Sequence, residues 1–599
     1  MVRDLRLLLT HSERKQFALI LPFAAVLGVV QVASIGSVVP FISMLTRPEM
    51  IWENRWLASF ANLAGIDSHK TFTLIFGGLI LVMLIMANSL AMLSQWWITK
   101  FCYDFHRRLS GTLLHNYIHR PYVDFIASNS ADLATTVVNE SLQVTHGVIA
   151  IILGLSCSGV MVIFMLLFLS WLSPVTVLLV ATVFAVIYGG MYVVLRRRME
   201  RLGQRRLDAN KARLKAVNEA FGGLKEVKVL GREDAFVHAF QPHALEFSRS
   251  VISNHLLGMI PRYFIETLAF GALLSVVLYF VAADRNLSAL LPLASAFAFA
   301  GYRMLPAFQS IYRGLTTLKY TAPVLKSISL ELTQTWPEGG RAPNPPRMPM
   351  EHGLRLDHVS YSYPGSEKKA LSDVSVDIAK RSFVAFVGPT GAGKTTLVDV
   401  ILGLLTPQKG GLIVDNQVIT EENRHAWQAN MGYVPQDIYL LDDTVIANIA
   451  FGVPPSEVNI EAVYRAAKTA KIHEHICAHM ENGYATIVGE RGVRLSGGQR
   501  QRLGIARALY HDPDVLVLDE ATSALDQDTE RAVHQAIMEM AHVKTVIVIA
   551  HRMATVMDCD QIFIVNDGKI VRTGDYSSLF PDEDAAGRSL RNLGKNVRV

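Results

Sequence analysis

Cysteine and charge are what this 599-residue sequence has least of. Its four cysteines, Cys102, Cys157, Cys477 and Cys559, are far apart. They form neither a disulfide framework nor a paired metal-ligand motif, and read as reduced, packed thiols. Charged residues make up 18% of the chain against 51% hydrophobic, a balance that points to a membrane. The net charge of +5 is small, which argues against nucleic acid as a partner. Much of the positive charge gathers at residues 196–206, Arg-Arg-Arg-Met-Glu-Arg-Leu-Gly-Gln-Arg-Arg, which reads as a solvated cytoplasmic face. No cleaved signal is expected, because the first apolar run, residues 5–9, is broken by Arg6 and followed by Glu13-Arg14-Lys15. Residues 1–15 instead suit an amphipathic helix lying on the membrane surface.

Long uncharged runs are what the chain does have. Residues 17–45, 71–99, 148–172 and 174–195 contain no Asp, Glu, Lys or Arg, and each exceeds the ~20 residues that cross a ~30 Å hydrocarbon core at ~1.5 Å per residue. Residues 256–283 and 287–312 are long enough but carry Arg262, Glu266 and Arg303, charges expected to face a cavity or a partner rather than lipid. Six spans over residues 16–332 put both ends of that segment on one side. Thirteen Lys or Arg between Arg196 and Arg249 place that side in the cytoplasm. The stretches after the second and fourth spans read as helices continuing into the cytoplasm, with turning points near residues 120–126 and 222–228. In the first external loop, Trp52, Trp56 and Phe60 fall on one helical face. That face suits either the outer leaflet or the neighbouring spans.

Prolines at 337, 343, 345, 346 and 349 and the pair Gly339-Gly340 mark residues 333–350 as a linker. Beyond it, residues 351–599 alternate short apolar strands with helices, the pattern of an α/β domain.

That domain holds the chemistry. Gly388-Pro389-Thr390-Gly391-Ala392-Gly393-Lys394-Thr395-Thr396 follows an apolar strand and precedes an apolar helix. Glycines there let backbone N–H groups turn toward an anion at a helix N-terminus, where the helix dipole favours phosphate. Lys394 is placed to reach the β- and γ-phosphates of a nucleotide, and the Thr395 hydroxyl to hold Mg²⁺. Residues 515–520, Val-Leu-Val-Leu-Asp-Glu, form a strand ending in two carboxylates. Asp519 suits support of Mg²⁺, and Glu520 suits polarising the attacking water. Leu495-Ser496-Gly497-Gly498-Gln499 opens a basic helix as a second glycine loop. Two phosphate-binding helix ends are more than one nucleotide needs.

Together with Gln436 in Tyr433-Val-Pro-Gln436, residues 523–526 (Ser-Ala-Leu-Asp) and His551 after an apolar strand, these motifs make residues 351–599 resemble the ATP-binding cassette of ABC transporters. The whole chain resembles an exporter-type half-transporter. The resemblance implies a six-span α-helical transmembrane domain fused to an α/β P-loop cassette, in a domain-swapped-type homodimer of the bacterial inner membrane, with cassette and both termini cytoplasmic. ATP held by Lys394, Thr395, Gln436 and Asp519 of one copy would be covered by Ser496, Gly497 and Gly498 of the other. Tyr363 matches the position that stacks on adenine, Glu520 the general base, His551 a γ-phosphate contact, and Asp526 a residue communicating across the interface. Within the family the chain is most similar to lipid-linked oligosaccharide flippases. A polyprenyl-pyrophosphate glycan is therefore the expected substrate, with Arg262, Glu266 and Arg303 in the cavity. A guanidinium fork suits pyrophosphate, although Glu266, one turn from Arg262, is placed to neutralise it. Export of apolar drugs or lipids is the alternative, and regulation of a channel a more remote one.

Overall fold

The computed structural model describes residues 2–37, 40–41, 44–45, 68–126, 128–172, 174–282, 291–333, 346–519, 527–550 and 553–580. The chain divides into two compact units, one of Met1–Arg120 and Phe125–Glu338, the other of Pro121–Asp124 and Gly339–Val599.

The first unit is helical. Among the described residues, a short helix, Val2–Leu8, is followed by six long helices at His11–Gly36, His69–Ile118, residues 130–172, Pro174–Gly222, Glu233–Ala282 and Leu291–Thr333. A 50-residue helix such as His69–Ile118 runs about 75 Å, more than twice a ~30 Å hydrocarbon core, so these helices carry both the apolar spans and their polar extensions. Among the described residues, His11–Ser34, His69–Ile118 and Ser130–Trp171 combine the length and hydropathy needed to cross a bilayer. The other three long helices each contain apolar stretches partly outside the described side chains. The two predicted turning points are short helices, Tyr122–Ile126 and Leu224–Leu230. The second closes on Gly231 at φ 60°, a left-handed residue that ends a helix without a Cβ clash.

The N-terminal helix ends earlier than expected. Its chain bends at Leu9–Thr10, and the first long helix starts at His11. Thr10 and Glu13 cap that start reciprocally, Thr10 N–H donating to Glu13 Oε2 at 2.8 Å and Glu13 N–H to Thr10 Oγ1 at 3.3 Å. Glu13 also receives Arg108 Nε at 2.6 Å, and Leu8 is buried in the cluster that holds Phe105 and Leu109. The predicted external aromatics Trp52, Trp56 and Phe60 lie outside the described residues.

The second unit is built on two sheets, with strand orders β2-β1-β4-β5 and β10-β9-β3-β8-β7-β6. In the first are β1 (Gly353–Tyr361), β2 (Leu371–Ala379), β4 (Lys409–Val414) and β5 (Gln417–Val418), all antiparallel. In the second, β3 (Phe383–Val387), β6 (Met431–Val434), β7 (Val515–Asp519), β8 (Thr545–Ile549) and β9 (Gln561–Asn566) are parallel, and β10 (Lys569–Gly574) closes the edge as a hairpin. Every residue of β3, β7 and β8 is buried, as a sheet covered on both faces requires. Strand alternation divides them between two cores. Phe383, Ala385, Leu516, Leu518, Val546 and Val548 face the core that holds Leu503 and Ile505 of helix Gly497–Leu509. Val384, Phe386, Val515, Val517, Ile547 and Ile549 face the one that holds Leu397 and Val400 of helix Lys394–Ile401. The two glycine loops therefore open helices on opposite faces of one sheet. The end of the predicted linker is part of this unit: Met350 is fully buried, and Asn430 Nδ2 donates to Met348 O at 2.9 Å.

Candidate nucleotide site

Strand register aligns the predicted residues. Phe386 of β3 pairs with Ile549 of β8, Ile549 with Asp519 of β7, and Val434 of β6 with Leu518. Because these strands are parallel, the residues just past them, Gly388, Ala550 and Gln436, share one sheet edge with Asp519. Ligands of open α/β sheets bind at such a carboxyl edge. Glu520, Asp526 and His551 fall outside the described residues.

At this edge the phosphate loop is fixed by close approaches. A Cβ on Gly388 would run into the Val565 carbonyl oxygen of β9, and one on Gly393 would sit 2.6 Å from the Ala370 oxygen. Gly391 and Gly393 have φ of 82° and 102°, where a side chain is strained. Between them Ala392 is buried and its carbonyl accepts from Gly568 N–H at 2.9 Å, tying the loop to the β9–β10 turn. Lys394, the first helical residue, is buried, and its Nζ donates to the carbonyls of Gly388 at 2.7 Å and Pro389 at 3.0 Å. The ammonium is thus held over the loop that a phosphate would enter. Thr390 and Thr395 are exposed beside it, and Thr396 is buried. Tyr363 OH lies 3.2 Å from Thr396 Oγ1, with the Tyr361 ring edge-on at 5.2 Å, which holds an aromatic face against the start of the phosphate helix.

Sequence reasoning missed Asp399. It lies on the phosphate helix and is buried, as is Asp519. Burial, and then the charge of Asp519, push its carboxyl up to about 6. The Tyr433 phenol is pushed up by burial and by the same two carboxylates. A carboxylate one helical turn past the loop carries no motif, and only its place in an otherwise apolar run, Leu397-Val-Asp-Val-Ile-Leu, signals it. The Asp519 carboxylate, the Thr395 hydroxyl and the Gln436 amide offer the hard oxygens that fit Mg²⁺, an ion usually held by one or two carboxylates plus phosphate oxygens. Among the described residues there is no cluster of three or more His, Cys, Asp or Glu that would hold a metal without a ligand's help.

At the second glycine loop, Ser496 is the N-cap of helix Gly497–Leu509. Ser496 N–H donates to Gln499 Oε1 at 2.9 Å and Gln499 N–H to Ser496 Oγ at 3.3 Å. This capping box keeps the N–H groups of Gly497 and Gly498 at an open helix end. Farther along, Arg507 ties the helix down. Its Nε and Nη2 donate to Asn448 O (2.9 Å) and Oδ1 (3.0 Å), its Nη1 donates to Tyr439 O (2.7 Å), and it covers the Phe451 ring at 4.4 Å. Tyr439 lies three residues past Gln436, so one guanidinium joins the Gln436 segment to helix Gly497–Leu509, the signature helix that the second glycine loop opens.

In the helical unit, Arg262 and Glu266 pair along one helix face at 3.7 Å, both part-exposed. Their helix, Glu233–Ala282, runs through Pro261 unbroken. The Arg303 side chain lies outside the described residues.

Residues 371–523 match the family model for the ABC transporter, and residues 38–300 match that for the ABC transporter transmembrane region. The chain is 32% identical to the ATP-dependent lipid A-core flippase of Burkholderia thailandensis over 466 residues, 75% of each chain. It is 31% identical to that of Cupriavidus metallidurans over 476 residues, 77% of each, and 30% identical to that of Ralstonia nicotianae over 491, 80% of each. In fold it is similar to a bacterial Atm1-family ABC exporter with ATP bound, with a TM-score of 0.74 and 22% identity over 98% of this chain and 100% of that one.

Proposed function

Because the chain belongs to the ABC transporter family, as an exporter whose cassette hydrolyses ATP, we propose that it works as a homodimer that flips an amphipathic, anionic lipid across the bacterial inner membrane. Cassette and termini lie in the cytoplasm. The observation that carries the ATPase reading is Lys394 held over a glycine loop at the sheet edge that also ends in Asp519.

Lys394 exchanges the Gly388 and Pro389 carbonyls for β- and γ-phosphate oxygens, and the loop N–H groups take the rest of the phosphate. Thr395, Gln436 and Asp519 would hold Mg²⁺, which would supply neutralisation of the phosphate charge. Tyr363 stacks on adenine. Ser496, Gly497 and Gly498 of the second copy close over the γ-phosphate, presenting the helix end that the capping box preserves. Glu520 orients the attacking water, His551 contacts the γ-phosphate and Asp526 reports closure across the interface.

The substrate we propose is a polyprenyl-pyrophosphate-linked oligosaccharide, gripped by Arg262 and Arg303. A second reading, a lipid A-core-type glycolipid, is favoured by the names of the relatives and by the Arg262–Glu266 pair, which halves the free positive charge available to a pyrophosphate. The test is reconstituted protein assayed for ATP turnover and flipping of each lipid. Loss of turnover in Glu520→Gln supports the base assignment, and undiminished turnover overturns it. If Arg262→Ala and Arg303→Ala leave flipping of the pyrophosphate lipid unchanged, the pyrophosphate grip is wrong.

A further inference from the structure

Helix Pro174–Gly222 carries an uncharged run, residues 174–195, continued at once by the arginine cluster. In the structure its cytoplasmic half has two different faces. Met199 is fully buried, and a Cβ on Gly203 would run into the Tyr320 carbonyl oxygen of a neighbouring helix. Arg206 turns inward to the buried Glu140 at 3.5 Å, and Asn210 Nδ2 donates to Glu140 at 3.1 Å. That is the packed face. At about 100° per residue, Arg197, Arg198, Arg201 and Arg205 fall within about 100° of one another on the opposite face, and all four are exposed. Among the described residues no carboxylate pairs with any of them. Glu200 lies outside their arc, and Asp208, which falls on the same face three residues past Arg205, accepts from Gln204 Nε2 at 2.9 Å.

Location gives this stripe a partner. Counting ~1.5 Å per residue from Leu195, Arg197 and Arg198 stand about 3–5 Å beyond the apolar run, Arg201 about 9 Å and Arg205 about 15 Å. A bilayer's headgroup layer adds roughly 5–8 Å on each side of the hydrocarbon, and arginine side chains extend along a helix to reach it. We propose that Arg197, Arg198, Arg201 and Arg205 form an outward-facing docking stripe for anionic phospholipid headgroups of the cytoplasmic leaflet, separate from the substrate cavity. Planar guanidinium forks pair with phosphate oxygens in twos, and a juxtamembrane cluster of four or more basic residues is the charge pattern that anionic lipid attracts. One turn of helix separates Arg197 from Arg201 and Arg201 from Arg205, so a single lipid phosphate meets two of them at once.

The test uses the full chain extracted from vesicles of phosphatidylcholine with phosphatidylglycerol, and native mass spectrometry counts the lipids retained. The wild type should retain phosphatidylglycerol in preference. An arginine near an anionic surface contributes about fivefold in partitioning, so the quadruple glutamine variant at 197, 198, 201 and 205 should lose retention at least tenfold, and Arg201→Gln alone a fewfold. The quadruple lysine variant, which keeps the charge, should recover most of it. Equal retention in wild type and the glutamine variants overturns the proposal. So does displacement of the retained lipid by millimolar glycerol phosphate, which would make the stripe a site for soluble phosphate. Loss in the lysine variant as deep as in the glutamine one also overturns it, because helix packing rather than charge would then be the cause.

Discussion

Removing the Arg507 side chain tests whether the signature helix is held by a guanidinium bonded to carbonyls rather than to a carboxylate. In Arg507→Ala, Asn448 O and Tyr439 O lose this donor, and Asn448 Oδ1 is left with the Leu441 N–H alone, at 2.9 Å. Hydrogen bonds from a charged donor contribute about 1.5–3 kcal/mol each, and stacking on Phe451 contributes about 1 kcal/mol. Against this stands burial of the charge, which lowers the guanidinium from 12.5 to about 10 and corresponds to about 3 kcal/mol. With the Tyr439 bond at the solvent edge discounted, the net loss is about 3 kcal/mol. A domain of this size shifts its melting midpoint by about 2–4 °C per kcal/mol, so the first thermal transition of the detergent-solubilised chain should fall by about 6–12 °C. Trp427, fully buried with its indole N–H donating to Ile401 O at 2.8 Å, is a fluorescent reporter within the same unit. Arg507→Lys keeps the charge but lacks the planar spread of donors that reaches three separate acceptors, and should fall between. A midpoint for Arg507→Ala within about 2 °C of wild type would refute the strut. Retained ATP turnover together with loss of substrate stimulation would place its role in the link between Gln436 and the signature helix.

Packing and charge each give one more expected outcome. Gly203→Ala places a methyl group against the Tyr320 carbonyl oxygen, so helices Pro174–Gly222 and Leu291–Thr333 must separate; a loss of about 1–3 kcal/mol, typical of overpacking, should appear as a lower midpoint, and a neutral result would mean the two backbones are not in close approach. Asp399 has a carboxyl raised from 3.8 to about 6, so between those values the unfolded chain gives up its proton first and stability falls as pH rises. Above pH 6 the full cost, on the order of 3 kcal/mol, is in place. Asp399→Asn should therefore raise the nucleotide-free midpoint at pH 7.5 and converge with wild type toward pH 4, and equal gain at both pH values would show that burial of charge is not the cause.

The parts of the cassette legible in the sequence are those whose spacing is local. The phosphate loop needs glycines, Lys394 and Thr395 in fixed order because one turn of backbone wraps one phosphate, and strands β3, β7 and β8 announce themselves as short apolar runs. Asp399 and Arg507 were not legible because their meaning lies in what other segments bring to them. Nothing near Arg507 in the sequence indicates that Tyr439 and Asn448 offer it carbonyls, and nothing near Asp399 indicates that Asp519 shares its pocket. The reciprocal cap of Ser496 and Gln499 was readable in principle, since Ser-x-x-Gln before an apolar run is a helix-start pattern, but the same residues also read as a phosphate contact. Both hold together if the cap fixes the helix end and the N–H groups of Gly497 and Gly498 meet the phosphate.

In the helical unit the same division explains why hydropathy found the spans and missed their interior chemistry. Charge-free runs 71–99, 148–172 and 174–195 lie within helices His69–Ile118, 130–172 and Pro174–Gly222 because a bilayer permits little else. Where those helices leave the bilayer, pairing replaces hydropathy as the constraint. Glu140 has a carboxyl raised by burial and opposed by Arg206, and it ends the first of two π-helical stretches, Thr136–Glu140 and Thr145–Ile149, with buried Ser141 between them. A π-helical turn inserts a residue into the α-helical frame and rotates the rest of the helix about its axis. Two of them in one helix set the rotation between Glu140, which meets Arg206 and Asn210, and the apolar face of the adjoining span. A pattern rule with a fixed period of 3.6 has no means of representing that rotation, which is why the residue that fixes the inward face of the arginine helix, and so leaves Arg197, Arg198, Arg201 and Arg205 facing out, could be identified only from the fold.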